Sequence, residues 1–306
     1  MTPGSAGFSL PSPADEAWRY VDCRPLAEVP STTASALPGE PCAADAFPAP
    51  TDATHAWALA PGTARRWRAT ADASITDNGG CWALRLDIPA GARVQLAITR
   101  QPAAGRSASW IHAVLGRGAS LVVHDTTIGQ AGVQLAAISG TVAQDAAATL
   151  RVVQHGGSLQ RHHLALSLDG PGASGAMTVA ADPRGEHQAH VLTRVVHAVG
   201  GTTSKQLVKA VLRDRARTSF DGLVTMLKGA DGSAAEQRDH NLVLSPLARA
   251  DTRPQLDIRA DEVQASHGAT IGALDAEELL YLRARGLPEG DARNLLTEAF
   301  LAETLP

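Results

Sequence analysis

Short apolar or alternating runs dominate the sequence from about residue 76 to residue 262. Each run spans about four to seven residues, and turns that contain glycine separate one run from the next. Runs of this length and alternation predict β-strands. The clearest of them cover residues 82–88, 95–98, 120–124, 148–153 and 163–168. The pattern therefore predicts a long β region with many turns and no convincing helix between its strands.

A helical pattern begins only after this β region. Asp275 is placed to cap a helix, with Glu278 three residues later as its capping-box partner. Gly286 is placed to end that helix in the left-handed conformation, and Pro288 fits the first turn of a second helix. The apolar positions of the second helix keep helical spacing at Ala292, Leu295, Leu296, Ala299 and Phe300. We therefore expect a two-helix tail.

The residues before the β region follow neither pattern. They are rich in proline, alanine, serine and threonine, which favours extended and turn conformations. Within them, residues 15–26 form a short amphipathic segment, and we expect Trp18 and Tyr20 to anchor it by local packing. The sequence therefore predicts a short irregular N-terminal region.

The strand pattern and the composition do not decide how the predicted strands are arranged. Many short strands fit a β-sandwich, a barrel or a solenoid, and periodicity does not choose among them. Aromatic residues are only 4% of the chain, whereas 44% of the residues are hydrophobic. Valine, leucine, isoleucine and alanine must therefore fill the core, and such small side chains suit tightly stacked strands.

Charge and cysteine content exclude several classes of protein. The net charge of −4 gives no broad positive field, so we expect no nucleic-acid partner. No run approaches the roughly 18 apolar residues of a membrane span, and no basic segment followed by an apolar one opens the sequence. The isolated Cys23, Cys42 and Cys81 do not suit a secreted disulfide framework. We expect a cytoplasmic protein that cannot by itself supply the four thiolates of a typical cluster site.

Motifs of common enzyme classes are missing from the sequence. It has no phosphate-binding loop, no Gly-x-Ser-x-Gly elbow and no His-Glu-x-x-His helix. A β-helical enzyme that acts on polysaccharide is the main rival, with Asp257, Asp261 and Glu262 as its nearest group of carboxylates. The few aromatic residues leave little surface on which sugar rings could stack. We therefore expect a protein that is not an enzyme.

Several segments resemble the SufB/SufD family of iron–sulfur cluster assembly proteins. The most specific are residues 254–270 (PQLDIRADEVQASHGAT) and residues 281–288 (YLRARGLP). Residues 116–124, 159–170 and 208–222 look like successive coils of the same family, and the segment around Trp18 is similar to one near the start of SufD-like chains. The resemblance implies a mainly β fold, a right-handed parallel β-helix (solenoid). It divides the chain into an irregular region (1–75), the β-helix core (76–270) and a helical ATPase-docking region (271–306).

The resemblance also implies a site. His267 matches a histidine that relatives place near the contact between two β-helix subunits, where it is implicated in cluster assembly or metal binding. Ala265 stands where relatives often carry cysteine, so sulfur acceptance is not expected here. His197 resembles a histidine before a Thr/Ser turn, for which we expect a coil-organising role, with metal binding as the alternative.

The implied function is a scaffold subunit without a permanently bound cofactor. Its partners would be a SufB-like paralogue that shares a transient iron–sulfur cluster and a SufC-like ABC ATPase that binds ATP, with flavin as a further cofactor of the complex. The resemblance implies that the ATPase docks on apolar residues of the tail, namely Leu279, Leu280, Leu282, Leu295, Leu296 and Phe300. A divergent homodimeric binding module is the alternative to the heteromeric scaffold.

Overall fold

The computed structural model describes residues 55–58, 63–77, 79–101, 105–129 and 131–304. These residues form seventeen strands followed by two helices. The strands are β1 His55–Ala58, β2 Thr63–Arg68, β3 Ala73–Asp77, β4 Gly80–Ile88, β5 Arg93–Arg100, β6 Arg106–Leu115, β7 Ser120–Thr127, β8 Val133–Val142, β9 Ala147–Gln154, β10 Leu159–Leu168, β11 Ser174–Ala181, β12 Gln188–His197, β13 Thr203–Leu212, β14 Arg217–Met226, β15 Ala234–Val243, β16 Arg249–Ile258 and β17 Gln264–Gly272. The helices are α1 Ala276–Ala284 and α2 Glu289–Ala302.

Consecutive strands alternate between two parallel sheets. The odd-numbered strands pair in the order β1-β3-β5-β7-β9-β11-β13-β15-β17, and the even-numbered strands pair from β16 to β2 in the same manner. Each turn of the chain thus adds one strand to each sheet, which makes the molecule a β-solenoid whose coils stack on their neighbours. The predicted fold class is confirmed, and each of the five clearest predicted strands lies within an observed one.

Alternation along each strand builds the core between the sheets. In β7 and β9 every second residue is buried, and the residues between them are partly exposed. We call residues that lie in register across the coils of one sheet a column. One inward column contains Leu96, Val123, Leu150 and Met177, all of which are buried. Each fully buried side chain of this size contributes roughly 1.5–3 kcal/mol, so stability accumulates with every stacked coil.

Turns on one side of the solenoid also stack on each other. The amide of Asp145 donates to the carbonyl of Pro171, and the amide of Gly172 donates to the carbonyl of Gly201. A Cβ atom at Gly170 would lie 2.2 Å from the backbone nitrogen of Gln144, so only glycine fits at this contact. These bonds hold successive coils at a fixed spacing and in register.

The solenoid begins earlier than the composition predicts. Strands β1 to β3 lie within residues 55–77, inside the stretch that is expected to be irregular. Their inward residues Trp67 and Ile75 are buried and belong to the main core. The predicted anchor segment around Trp18 lies outside the described residues.

The tail forms two helices, as predicted. The carboxylate of Asp275 accepts hydrogen bonds from the amides of Glu277 and Glu278 at 2.7 and 3.2 Å, which caps α1. Gly286 has a φ of +94° and ends the helix in the left-handed region. Pro288 is the residue before α2 rather than part of its first turn. Neither helix is long and apolar enough to cross a membrane, within the residues described.

The tail packs against the side of the solenoid rather than over its end. The Nζ atom of Lys209 on β13 donates to the carbonyl oxygen of Phe300 at 2.9 Å and pairs with Glu303 at 2.7 Å. Arg213 donates to Thr297 at 3.2 Å. Because these contacts lie at β13, the tail does not bury the outer face of the last coil, which β16 and β17 form.

Candidate functional site at the last coil

The last coil is the exposed end of the solenoid. All residues of β17 except Ala265 are exposed, whereas β15 buries alternate residues as the earlier strands do. Among the described residues, β17 pairs only with β15, and β16 pairs only with β14. Each therefore presents one edge of backbone donors and acceptors that no strand covers.

His267 lies on the lumen side of this exposed coil. In register it continues the inward column of Leu150 and Met177 through Gln206 and Gln237. Its side chain is exposed because, among the described residues, no strand covers the outer edge of β17. Ala265 occupies the neighbouring inward column above Ala235 and packs partly against the main core. The two positions singled out in the sequence thus share one face of the terminal strand.

Glutamines replace apolar residues in the column beneath His267. The Oε1 atom of Gln206 accepts hydrogen bonds from Thr193 Oγ1 at 2.6 Å and from Gln237 Nε2 at 3.2 Å. Gln237 is fully buried, and its Oε1 atom has no hydrogen-bond partner. Gln237 is the register neighbour of His267, and its amide lies next to Gly222 on β14.

A buried carboxylate lies in the next inward column. Asp239 is 1% exposed, and it accepts one hydrogen bond from Asn241 at 2.8 Å. The hydroxyl of Thr252 also acts on this carboxylate as a hydrogen-bond donor, and no cation pairs with it in the described part of the chain. Burial raises the pKa of Asp239 to about 6, although Thr252 and Asn241 act in the opposite direction. The lumen near the open end thus contains an acid that is easily protonated.

The sequence-based reasoning missed Gln206, Gln237 and Asp239. Their signal is present in β13 and β15, where polar residues occupy alternate positions in place of the Leu and Val that fill equivalent positions of earlier strands. The residues become recognisable as interior only when the strand register is known, because period-two alternation by itself does not identify the inward face.

His197 is placed for a structural role. It is fully buried in an inward column between Leu168 and Met226. Its Nδ1 atom bonds to Thr202 Oγ1 at 2.7 Å and its Nε2 atom to Ser204 Oγ at 2.8 Å. Burial lowers the pKa of His197 to about 4, so the ring is neutral. With both ring nitrogens engaged, the imidazole has no free lone pair for a metal.

Other polar groups do not assemble into a metal centre or a carboxylate pair. Within the described residues no three His, Cys, Asp or Glu side chains form a group that could hold a metal ion. Asp257 forms an exposed ion pair with Arg259 at 2.7 Å, while the backbone amides of Asp261 and Glu262 donate to Asp231. The arrangement offers no facing pair of free carboxylates of the kind a glycoside hydrolase uses.

The tail presents an apolar surface to solvent. Leu280 and Tyr281 on α1 are 65% and 60% exposed, and Leu295 on α2 is 46% exposed. No residue of α1 is buried. Leu280 and Leu295 are among the six residues predicted for docking, and the other four are partly buried, namely Leu279, Leu282, Leu296 and Phe300. The predicted docking residues therefore divide into an exposed group and a group that faces the tail's own packing.

Comparisons with known proteins give a consistent result. The family model "SUF system FeS cluster assembly, SufBD core domain" matches residues 78–300. The chain is 35% identical over 162 residues to iron–sulfur cluster assembly protein SufD of Escherichia coli, which covers 53% of this chain and 38% of that protein. It is 40% identical over 156 residues to a SufBD family protein of Synechocystis, covering 50% and 34% of the two chains. SufD of Bacillus subtilis is 35% identical over 136 residues, covering 44% and 31%. The matched part of this chain thus spans less than two fifths of these relatives.

Proposed function

The chain belongs to the family of SUF-system iron–sulfur cluster assembly proteins with a SufBD core domain, and we propose that it is a non-catalytic scaffold subunit of such a system. In this proposal it pairs with a SufB-like β-helical subunit and docks a SufC-like ATPase. The observation that carries the proposal is the open last coil, which brings a candidate ligand, His267, to an uncovered end of the solenoid.

The exposed edges of β16 and β17 support pairing with another β-rich subunit. Uncovered strands recruit further strands through their backbone hydrogen bonds. A second solenoid that meets this end would cover Ala265 and His267 and bury Ile271, which is 52% exposed. The contact would then resemble the junction between two neighbouring coils of one solenoid.

The side chains at Ala265 and His267 determine which cluster ligands this chain supplies and which its partner supplies. The imidazole of His267 can ligate iron or donate a hydrogen bond to a sulfur ligand. The methyl group of Ala265 can do neither, so the partner must supply the thiolates. The cluster is then a transient cargo at the contact, to which this chain contributes a nitrogen ligand.

The tail provides a separate docking surface. Leu280, Tyr281 and Leu295 form its exposed apolar part, which suits burial against a partner. Lys209 and Arg213 fasten α2 to β13, which lies two strands from β17 in the sheet. Movement of a docked ATPase would therefore reach the last coil through few intervening elements.

Co-expression with SufB-like and SufC-like subunits from the same source tests the two docking surfaces. We expect Ile271→Lys to release the SufB-like subunit, whereas Ile128→Lys, at another exposed isoleucine, should not. We expect Leu280→Asp to release the ATPase, while Leu247→Asp, at an equally exposed leucine, should retain it. Failure of the wild-type chain to co-purify with either subunit overturns the scaffold proposal. A stable homodimer by light scattering, without heteromeric binding, would support the alternative module.

Iron content of the purified complex tests the role of His267. We expect His267→Ala to lower the iron content of the complex without dissociating it. His240→Ala is the matched control because His240 lies on the adjacent strand and bonds outward to Thr270 at 2.8 Å. Equal iron content in wild type and His267→Ala would leave His267 with a structural role only.

A further inference from the structure

A pocket lies on the outer face of the solenoid at its early coils. Its volume is about 550 Å³, which is within the usual range of ligand sites in proteins. Residues of β2, β4 and β6 and of the turns after β4 and β6 line this cavity, which we call the outer pocket. Strand β2 is at the opposite end of the even-numbered sheet from β16, so the outer pocket is separate from the open last coil.

One wall of the outer pocket is held in place by two turns that stack closely. The amide of Gly116 donates to the carbonyl oxygen of Ile88 at 2.8 Å, and the amide of Gly91 donates to that of Arg117 at 2.9 Å. A Cβ atom at Gly116 would lie 2.7 Å from the backbone nitrogen of Ala90, so the two turns are in direct contact. The wall therefore exists before a ligand binds, which reduces the entropy cost of binding.

The charges in the outer pocket do not balance. Asp87 accepts one hydrogen bond at each carboxylate oxygen, from the Nε atom of Arg66 and, at 3.0 Å, from the Nε atom of Arg85. Burial would raise the pKa of Asp87, but these two arginines outweigh it and lower that pKa, so the carboxylate is charged at neutral pH. Arg68 is the register neighbour of Asp87 on β2, yet within the described residues no hydrogen bond or ion pair engages its guanidinium group. Three arginines thus share one carboxylate, and Arg68 has no counter-ion.

Apolar surface lies beside the unpaired guanidinium. Pro89 and Val114 line the same pocket as Arg68, and both are partly exposed. The planar guanidinium group matches the paired oxygen atoms of a carboxylate or a phosphate, and an apolar group gains free energy when it leaves water for such a surface. A cationic ligand would be repelled by the arginines, and a neutral ligand would leave Arg68 without a counter-ion.

We propose that the outer pocket binds a small organic anion, whose carboxylate or phosphate group pairs with Arg68 and whose apolar part lies on Pro89 and Val114. Carboxylates and phosphate esters offer the same arrangement of oxygen atoms to a guanidinium group, so the site accepts this chemistry from either class of compound. The ligand would bind at the far end of the solenoid from His267. The site therefore goes beyond the proposed scaffold role and does not depend on it.

Calorimetric titration of the full chain with benzoate and with phenyl phosphate tests the site. We expect one saturable site for at least one of these ligands, and the tighter ligand identifies the preferred anionic group. Inorganic phosphate and benzyl alcohol are the control ligands, because each has only the anionic or only the apolar part. Both controls should bind more weakly than the tighter ligand.

Two pairs of variants test the assigned contacts. Arg68→Gln should weaken binding by about tenfold or more, because it removes a charge-assisted pair. Arg93→Gln, at an exposed arginine of the odd-numbered sheet, should leave the affinity unchanged. Val114→Glu should abolish binding because its carboxylate would occupy Arg68, whereas Thr141→Glu, at the register neighbour on β8 outside the pocket, should retain it. Thermal unfolding followed by circular dichroism confirms that each variant is folded.

Three results would overturn the proposal. The first is the absence of saturable binding of both benzoate and phenyl phosphate to the wild-type chain, and the second is equal affinity in wild type and Arg68→Gln. The third is binding of inorganic phosphate as tight as that of phenyl phosphate, which would remove the apolar contact. All three are measured on the isolated chain, so they are distinct from the failure to co-purify that would overturn the scaffold role.

Discussion

Asp125 and Asp239 occupy the same inward column of the odd-numbered sheet, yet their environments are opposite. The guanidinium of Arg100 donates to Asp125 at 2.6 and 2.7 Å and to Asp77 at 2.9 Å, and all three residues are buried. Burial by itself would raise the pKa of Asp125, but the charge of Arg100 outweighs it and holds that pKa well below its usual range. Burial raises the pKa of Asp239, and the hydrogen bonds from Thr252 and Asn241 offset that effect only in part.

The difference separates a buried carboxylate that is paired with a cation from one that has only neutral donors. In the early coils the carboxylates are neutralised within the chain, so this part of the lumen needs no ligand. In the last coils Asp239 is buried with the neutral donors Asn241 and Thr252 and, among the described residues, without a cation. The same column thus holds a carboxylate with a counter-ion in the early coils and one without a counter-ion in the last coils.

Replacement of Arg100 should have the largest effect on the early coils. We expect Arg100→Met to lower the free energy of unfolding by about 3–5 kcal/mol, because Asp77 and Asp125 would remain buried without a cation. Chemical denaturation measures this change. Arg117→Met, which breaks an exposed ion pair with Asp145, should cost no more than about 1 kcal/mol. Equal losses in the two variants would show that the buried network does not stabilise the fold.

Neutral isosteres at the two column positions should change stability in opposite directions. Asp125→Asn should destabilise the chain because it weakens the pairing of Arg100. The pKa of Asp239 rises from 3.8 to about 6 on folding, so the folded state loses stability as the pH increases through that window. Asp239→Asn removes this loss and should raise the free energy of unfolding at pH 7 by up to about 3 kcal/mol. Destabilisation by both variants, measured by urea unfolding, would refute the contrast.

The smallest expected effect concerns His197, which lies between the two regions. Its pKa falls from 6.5 to about 4 on folding, so the unfolded chain takes up a proton first as the pH decreases. Stability should therefore be fully present above about pH 6.5 and decline towards pH 4, with a loss of about 2 kcal/mol at pH 5. His197→Gln should flatten this part of the stability profile. His155→Gln, at an exposed histidine, should leave the profile unchanged.

The sequence predicts a structural feature correctly where that feature depends on residues within a single helix or strand. Asp275 and Gly286 predict the ends of α1 because capping depends on a few neighbouring residues. The alternation in 120–124 likewise predicts β7. By contrast, the pairing of Arg100 with Asp125 and the place of Asp239 beneath the last coil depend on register across coils, which no single strand encodes. The lateral position of α2 follows from Lys209, 91 residues before Phe300 in the chain.

Because the turns stack in register, the coils follow one another at a constant spacing along the solenoid axis. Neighbouring strands in a sheet are about 4.8 Å apart, and Asp125 and Asp239 are separated by four such steps, from β7 to β15. The two carboxylates are therefore about 19 Å apart along the solenoid axis. Loss or gain of one whole coil would change this distance by one step and preserve every column. The separation of the two regions can thus vary only in discrete increments.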